Sequence, residues 1–185
     1  MTEATTRNNR WKRPLSRVIS GGQTGAEQAA LFAAEACGIP TGGSAPEGWQ
    51  TAAGPNPRLL ADRFSLCAQR GGHAQSLRAN ILDADGTLWL AYEFAGPDEQ
   101  VCHRALESCG ADFLDLRLPN LPPIQEVAEW IVDKGIRTLH VTGARERYRP
   151  PYVLPVCFSF LVKLFCGLDY CADPNAIAAF GFSFA

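Results

Sequence analysis

Short apolar runs alternate with helical stretches along this chain, and no other feature restricts its fold as strongly. Val18-Ile19-Ser20 is an apolar run stopped by Gly21-Gly22, the pattern of a buried strand entering a turn. Residues 24–37 read as a helix. Thr24 and Glu27 have the T-x-x-E spacing of a capping box. Ala29, Ala30, Ala33, Ala34 and Ala36 make this helix small-sided, so it can lie close to a sheet, and Gly38 suits its C-terminal stop. A second extended piece runs from Ile39 to Gly42-Gly43. Residues 73–82 read as a helix and 86–92 as a buried strand. A helix over 97–109 follows, with Pro97 in its first turn, then a strand over 112–116. The next helix spans 122–134, where Ile124, Val127, Ala128 and Ile131 share one face. Residues 137–141 read as the last strand and 152–168 as the last helix. This alternation predicts one three-layer α/β domain. Its mainly parallel sheet, of about five to seven strands, is covered by helices on both faces. Ligands of such sheets bind outside the carboxyl ends of the strands.

A chain of 185 residues is the length of one domain and can build a core without staples. Hydrophobic residues make up 46%, which excludes a disordered protein. The net charge of −2 excludes a globally basic nucleic-acid binder, so no specific nucleic-acid partner is expected. Charge is uneven, however. Arg7, Arg10, Lys12, Arg13 and Arg17 against Glu3 leave residues 1–17 at +4 and the remainder at −6. Residues 1–16 read as a flexible basic leader, 17–168 as the ligand-binding domain and 169–185 as an apolar tail, uncharged after Asp173. Pro155 and Lys163 interrupt the apolar stretch 153–168, so no membrane span is expected. No apolar segment follows the basic start, which points to a cytoplasmic protein. The seven cysteines include no C-x-x-C pair. Reduced thiols and no metal site are the expectation. A homo-oligomer is expected.

Two segments carry the chemistry. Ser20-Gly21-Gly22-Gln23-Thr24-Gly25 joins the first strand to the first helix. Its glycines allow close backbone approach, and free N–H groups at a helix start favour an anion. This is neither a Walker loop nor a full G-x-G-x-x-G. Residues 43–58, rich in Gly and Pro, read as a long functional loop just after a strand.

The motifs Ser20-Gly-Gly-Gln-Thr-Gly25, Gly38-Ile-Pro-Thr-Gly-Gly43, Asn80 with Asp83-Ala-Asp-Gly-Thr87, and Val141-Thr-Gly-Ala-Arg-Glu146 occur in the order seen in the putative molybdenum carrier family. The chain resembles that family over roughly residues 16–165. The resemblance implies a Rossmann-like fold, related to the lysine-decarboxylase-like nucleotide-binding proteins. It also implies a nucleotide-like ligand or the molybdenum cofactor, molybdopterin. Glu27-Gln28 stands where the family has Asp-Arg. Ala52-Ala53 replaces an acidic pair, Gly96-Pro97-Asp98 replaces a Gly-Gly-Thr phosphate loop, and Arg147 replaces a Ser.

The candidate ligand-binding residues are Gly21, Gly22, Gln23, Thr24, Gly25, Arg78, Asn80, Gly143, Arg145 and Glu146. Gly143 and Arg145 follow the last strand, which puts them on the same carboxyl edge as the glycine turn. Arg78 resembles the Arg that the relatives direct into the ligand cleft, where it would be a phosphate fork; Arg145 is a candidate fork by its place, and Glu146 would orient Arg145 or meet a ribose hydroxyl. Arg147 and Arg149 add charge. Asp83 and Asp85 precede a strand and read as turn residues at the opposite edge. His73 and His140 read as satisfied structural histidines. Cys102 and His103 are adjacent on a helix and do not face each other. The expected function is binding of a phosphate-bearing small molecule. The alternatives are a nucleoside-monophosphate N-glycosidase, similar to cytokinin-activating relatives, and a ligand-free interaction module. Gly22→Asp is expected to block the anion site in a folded domain, and Asp85→Ala to spare it.

Overall fold

A computed structural model of the chain describes residues 12–146 and 152–179. In chain order the elements begin β1 (Arg17–Ile19), α1 (Ala26–Ala36), β2 (Thr41–Gly42), β3 (Ser44–Pro46), β4 (Gln50–Thr51) and β5 (Gly54–Pro55). A π-helical turn (Arg58–Arg63), β6 (Cys67–Gln69), α2 (His73–Asp83), β7 (Gly86–Ala91) and α3 (Pro97–Ser108) follow. The chain then forms β8 (Phe113–Arg117), α4 (Ile124–Asp133), β9 (Thr138–Gly143), α5 (Val153–Gly167) and α6 (Pro174–Ala178).

The central sheet is wholly parallel, in the order β2-β1-β9-β7-β8. Alternation along β7 shows why it needs helices on both sides. Leu88 and Leu90 join the large core formed with α1, α4 and α5, while Trp89 and Ala91 pack with Ile81 of α2 and with Cys102 and Leu106 of α3. This is the expected Rossmann-like α/β domain. Its chain order is unusual. If the chain began at β7 and carried β1 and β2 at its C-terminus, the same sheet would read 2-1-3-4-5, a common doubly wound order. The switch point of that order falls between β7 and β9.

The segment 43–58 is not the structureless loop expected. β3 pairs in parallel with β6, and β4 pairs with β5 as a small hairpin. Strands of two or three residues are too short to show a period in the sequence. Residues 12–16, assigned to the leader, are tied to the domain. Leu15 is buried, Arg13 N–H donates to the Leu168 carbonyl (3.0 Å), and the Tyr170 hydroxyl donates to the Leu15 carbonyl (2.6 Å). The tail docks as well. Asp173 N–H donates to the Ala36 carbonyl (2.7 Å), the Asp173 carboxylate caps α6 through Asn175 N–H (2.9 Å), and Ile177 is buried. Residues 1–11 and 180–185 lie outside the described part.

The amino edge is held by Asp85, whose Oδ2 accepts the N–H groups of Arg137 (3.0 Å) and Thr138 (2.7 Å). Asp83 pairs with Arg17 at 2.9 Å. Both aspartates are therefore turn and strand-start residues, as the sequence suggested. All seven cysteines are free thiols. Burial pushes Cys37, Cys102 and Cys157 up to about 12.

His140 lies on β9 inside the sheet, fully buried, with Nδ1 3.2 Å from the Thr87 hydroxyl. Among the described residues its Nε2 has no hydrogen-bond partner, so it is not the satisfied histidine expected. Burial lowers its pKa from 6.5 to about 3. The unfolded chain therefore takes up a proton near pH 6.5, whereas the folded one holds His140 neutral until about pH 3. Stability from this residue is present above pH 6.5 and is lost as pH falls through that window, by about 1.4 kcal/mol per pH unit. Chemical denaturation at several pH values should show this acid-side slope, and His140→Gln should reduce it.

Candidate functional site

The loops after β1 and β9 meet at the carboxyl edge of the sheet, beside the β7–β9 switch point. A cleft of about 270 Å³ opens there. One wall is the β1–α1 turn, with Gly21, Gln23 and Glu27. The opposite side is α2 and α3, which bring His73, Asn80, Glu99 and Cys102. Trp89 of β7 lies between, and the end of β9 adds Thr142, Gly143 and Arg145. The sequence placed the glycine turn and the β9 loop together, and the structure does so too.

The turn is built differently from the capping box expected. The helix cap is Gly25, at φ +95°, and no side chain caps the helix. Moving the cap one residue past Thr24 takes the Thr24 hydroxyl out of reach, and that buried oxygen makes no hydrogen bond among the described residues. The Glu27 carboxylate instead folds back over the turn. Its Oε2 accepts Gln23 N–H (2.8 Å), and its Oε1 accepts the Thr142 hydroxyl (2.8 Å). Burial raises the Glu27 pKa. The two hydrogen bonds and the nearby Arg145 guanidinium work against that rise.

The three glycines do different jobs. A side chain at Gly21 would meet Glu27 Oε2 at 2.8 Å, so Gly21 faces the cleft. At Gly22, with φ +76°, it would run into Leu60 and Leu66 in the core. At Gly25 it would strike the backbone of residues 144–146. That absence lets the two loops bond directly: Ala26 N–H donates to the Ala144 carbonyl (3.0 Å) and Glu146 N–H to the Thr24 carbonyl (3.2 Å). Gly143 permits a similar closeness, with the neighbouring Ala144 N–H donating to the Leu90 carbonyl (2.7 Å).

Gln23 is buried and works as a hub. Its Oε1 accepts the N–H groups of Ala52 (2.6 Å) and Thr24 (3.1 Å), and its Nε2 lies 3.3 Å from His73 Nε2. Asn80 reaches the cleft wall but spends its amide on the backbone of Ser44, with 2.6 Å and 3.0 Å bonds. It therefore locates β3 at the cleft.

Five of the ten candidate residues do not line the cleft: Gly22, Thr24 and Gly25 within the turn, and Arg78 and Glu146 beyond it. Arg78 is exposed, and its Nη1 donates to the Ser108 hydroxyl (3.1 Å) at the end of α3. The helix phase turns it away from the cleft. Glu146 accepts Leu154 N–H (3.0 Å) and so anchors the first turn of α5. Arg147 and Arg149 fall outside the described residues. His103 points to Glu107 (3.3 Å), whereas Cys102 lines the cleft, so the two make no dyad. Among the described residues no group of three or more His, Cys, Asp or Glu could hold a metal ion.

Sequence reasoning missed Glu99, His73, Trp89 and Thr142 as cleft residues, and it reads Glu27 as the capping partner of Thr24. Thr142 had one signal, its place beside Gly143. The others come to the cleft from separate elements, and no local spacing marks them.

Gly22→Asp should destabilise the domain by about 3 kcal/mol or more, because it places a charged side chain at positive φ against two leucines. This corrects the expectation of a folded, binding-dead variant. Arg78→Ala should shift stability by no more than about 0.5 kcal/mol. Urea denaturation of both variants checks the contrast.

Residues 18–163 match the circularly permutated YpsA SLOG family. No curated protein matches the chain. The crystal structure of a putative molybdenum carrier protein from Syntrophus aciditrophicus SB, at 1.45 Å resolution, is similar, with a TM-score of 0.73 and 26% identity. The similarity covers 83% of this chain and 96% of that one. The family's permutation agrees with the strand order, in which β1 and β2 precede the strands they follow in the 2-1-3-4-5 arrangement. This chain belongs to the circularly permutated YpsA SLOG family.

Proposed function

We propose that the chain binds a phosphate-bearing small molecule, nucleotide-like or molybdopterin-like, in the cleft at the carboxyl edge. The observation that carries this reading is the meeting of Arg145 with the glycine turn in one cleft of mixed polar and apolar lining at the switch point. Arg145 supplies a fork for a phosphate. Glu27 and Glu99 offer acceptors for ribose hydroxyls or for the amino and ring N–H groups of a heterocycle, and Trp89 contributes an aromatic wall. That donor set suits a purine nucleotide and a pterin phosphate alike. Arg145 would hold the phosphate of molybdopterin and the carboxylates its pterin edge. The molybdenum named for the structural neighbour supports testing this ligand. Seven free thiols accord with a reducing, cytoplasmic setting.

A thermal-shift screen with nucleoside monophosphates and molybdopterin tests the reading, because a ligand of the native state raises its stability. A hit should be weakened about 10- to 100-fold by Arg145→Ala, the loss of one charge-assisted contact. Asp85→Ala, at the amino edge, should leave affinity unchanged once stability is allowed for. No shift with any member of the panel would leave a ligand-free interaction module as the better description.

One observation favours an enzyme as a second reading. Glu27, whose pKa is raised by burial, and Glu99 share the cleft. A carboxyl whose pKa is raised holds its proton to higher pH, which suits general acid chemistry. Nucleoside-monophosphate N-glycosidase activity predicts release of free base on incubation, lost in Glu27→Gln or Glu99→Gln. Binding without base release excludes it.

A further inference from the structure

The position over the glycine turn, where an incoming oxyanion would seek N–H donors, is taken by the protein itself. Glu27 Oε2 lies 2.8 Å from Gln23 N and 2.8 Å from where a Gly21 side chain would begin. Glu27 Oε1 holds the Thr142 hydroxyl at 2.8 Å. The charged and titratable groups around this carboxyl come from every wall of the cleft. They are Arg145 after β9, Glu99 and the Cys102 thiol on α3, and His73 at the start of α2.

We propose that Glu27 is a resident anion that selects ligands by charge: a doubly negative group enters the position over the glycine turn only in exchange for the Glu27 negative charge. The inference rests on the cleft being the ligand site. Two anions cannot share one set of donors at hydrogen-bonding distance in a partly desolvated cleft. Desolvation already disfavours the Glu27 carboxylate, so an arriving oxyanion tips it toward the neutral acid. The proton comes from solvent and stays on Glu27, where it can be donated to a ligand oxygen.

Sulfate is the direct probe, since its charge stays at −2 near neutral pH, and AMP is the second. Titration calorimetry between about pH 6 and pH 8.5 should show wild-type affinity for sulfate falling as pH rises, by up to about tenfold per unit. Glu27→Gln keeps the shape and removes the charge. At the alkaline end it should bind sulfate at least about tenfold more tightly than the wild type, with a flatter pH profile. His73, Glu99 and Cys102 are the same in both proteins, so the difference between them isolates Glu27. Thr142→Val removes one hydrogen bond to the charged form. It should also tighten alkaline binding, and it carries the test if Glu27→Gln does not fold. Equal sulfate affinity in wild type and folded Glu27→Gln overturns the proposal. So does absence of sulfate and AMP binding in every folded variant. AMP binding that depends on Arg145 but not on Glu27 overturns it and leaves the proposed function intact. Tighter alkaline sulfate binding by Glu27→Gln than by the wild type, with no nucleotide or pterin bound by either, supports it and removes the nucleotide or pterin reading of the ligand.

Discussion

The contact on which the site depends is backbone to backbone. The turn after β1 and the loop after β9 exchange two hydrogen bonds, from Ala26 to Ala144 and from Glu146 to Thr24. Only a residue without a side chain at position 25 lets the strands' exits approach this closely. The clamp sets where α1 begins, where Arg145 projects, and the separation over which Glu27 meets Thr142. Glu146 extends it through the first turn of α5, so the last helix is registered against the same point. A glycine that reads in the sequence as a phosphate-binding residue is thus first a spacer between two protein loops.

Around that clamp the cleft is a balance of opposite charges rather than a plain anion hole. Arg145 is set against Glu27 and Glu99 in the same space. Fixed hydrogen bonds favour the Glu27 carboxylate, while desolvation favours the acid. A group caught between such terms responds to a neighbouring charge, whereas a fully solvated carboxylate would be screened. Gln23 and Asn80, which sequence spacing marks as ligand donors, have their polar atoms engaged with Ala52, Thr24 and Ser44. Their contribution is to hold the segment 43–56 at the cleft rim.

The permuted strand order leaves the physics of the sheet unchanged. Parallel strands still need helices on both faces, and the reversal between β7 and β9 still opens the carboxyl edge. What changes is which parts of the chain come together there. The glycine turn lies near the N-terminus and Arg145 more than a hundred residues later, joined by β1–β9 pairing.

The sequence by itself determined the layer architecture, because burial on both faces of parallel strands writes continuous apolar runs separated by amphipathic helices. β7 and α4 are the plainest cases. It also located the carboxyl-edge loops at residues 20–25 and 143–146, since glycine-rich turns after strands have few other uses. Only the tertiary structure decided which side chains face the cleft. Arg78 and Asn80 are two residues apart on one helix, yet one reaches Ser108 and the other Ser44. Helix phase against two different neighbours separates them, and neither neighbour is near them in sequence. The short strands β3 to β6 were equally hidden, because two or three residues hold a strand only through partners supplied by distant chain. Glu27 is the sharpest instance. Its spacing from Thr24 signals a cap, but the hydroxyl that it binds belongs to Thr142, brought there by the sheet.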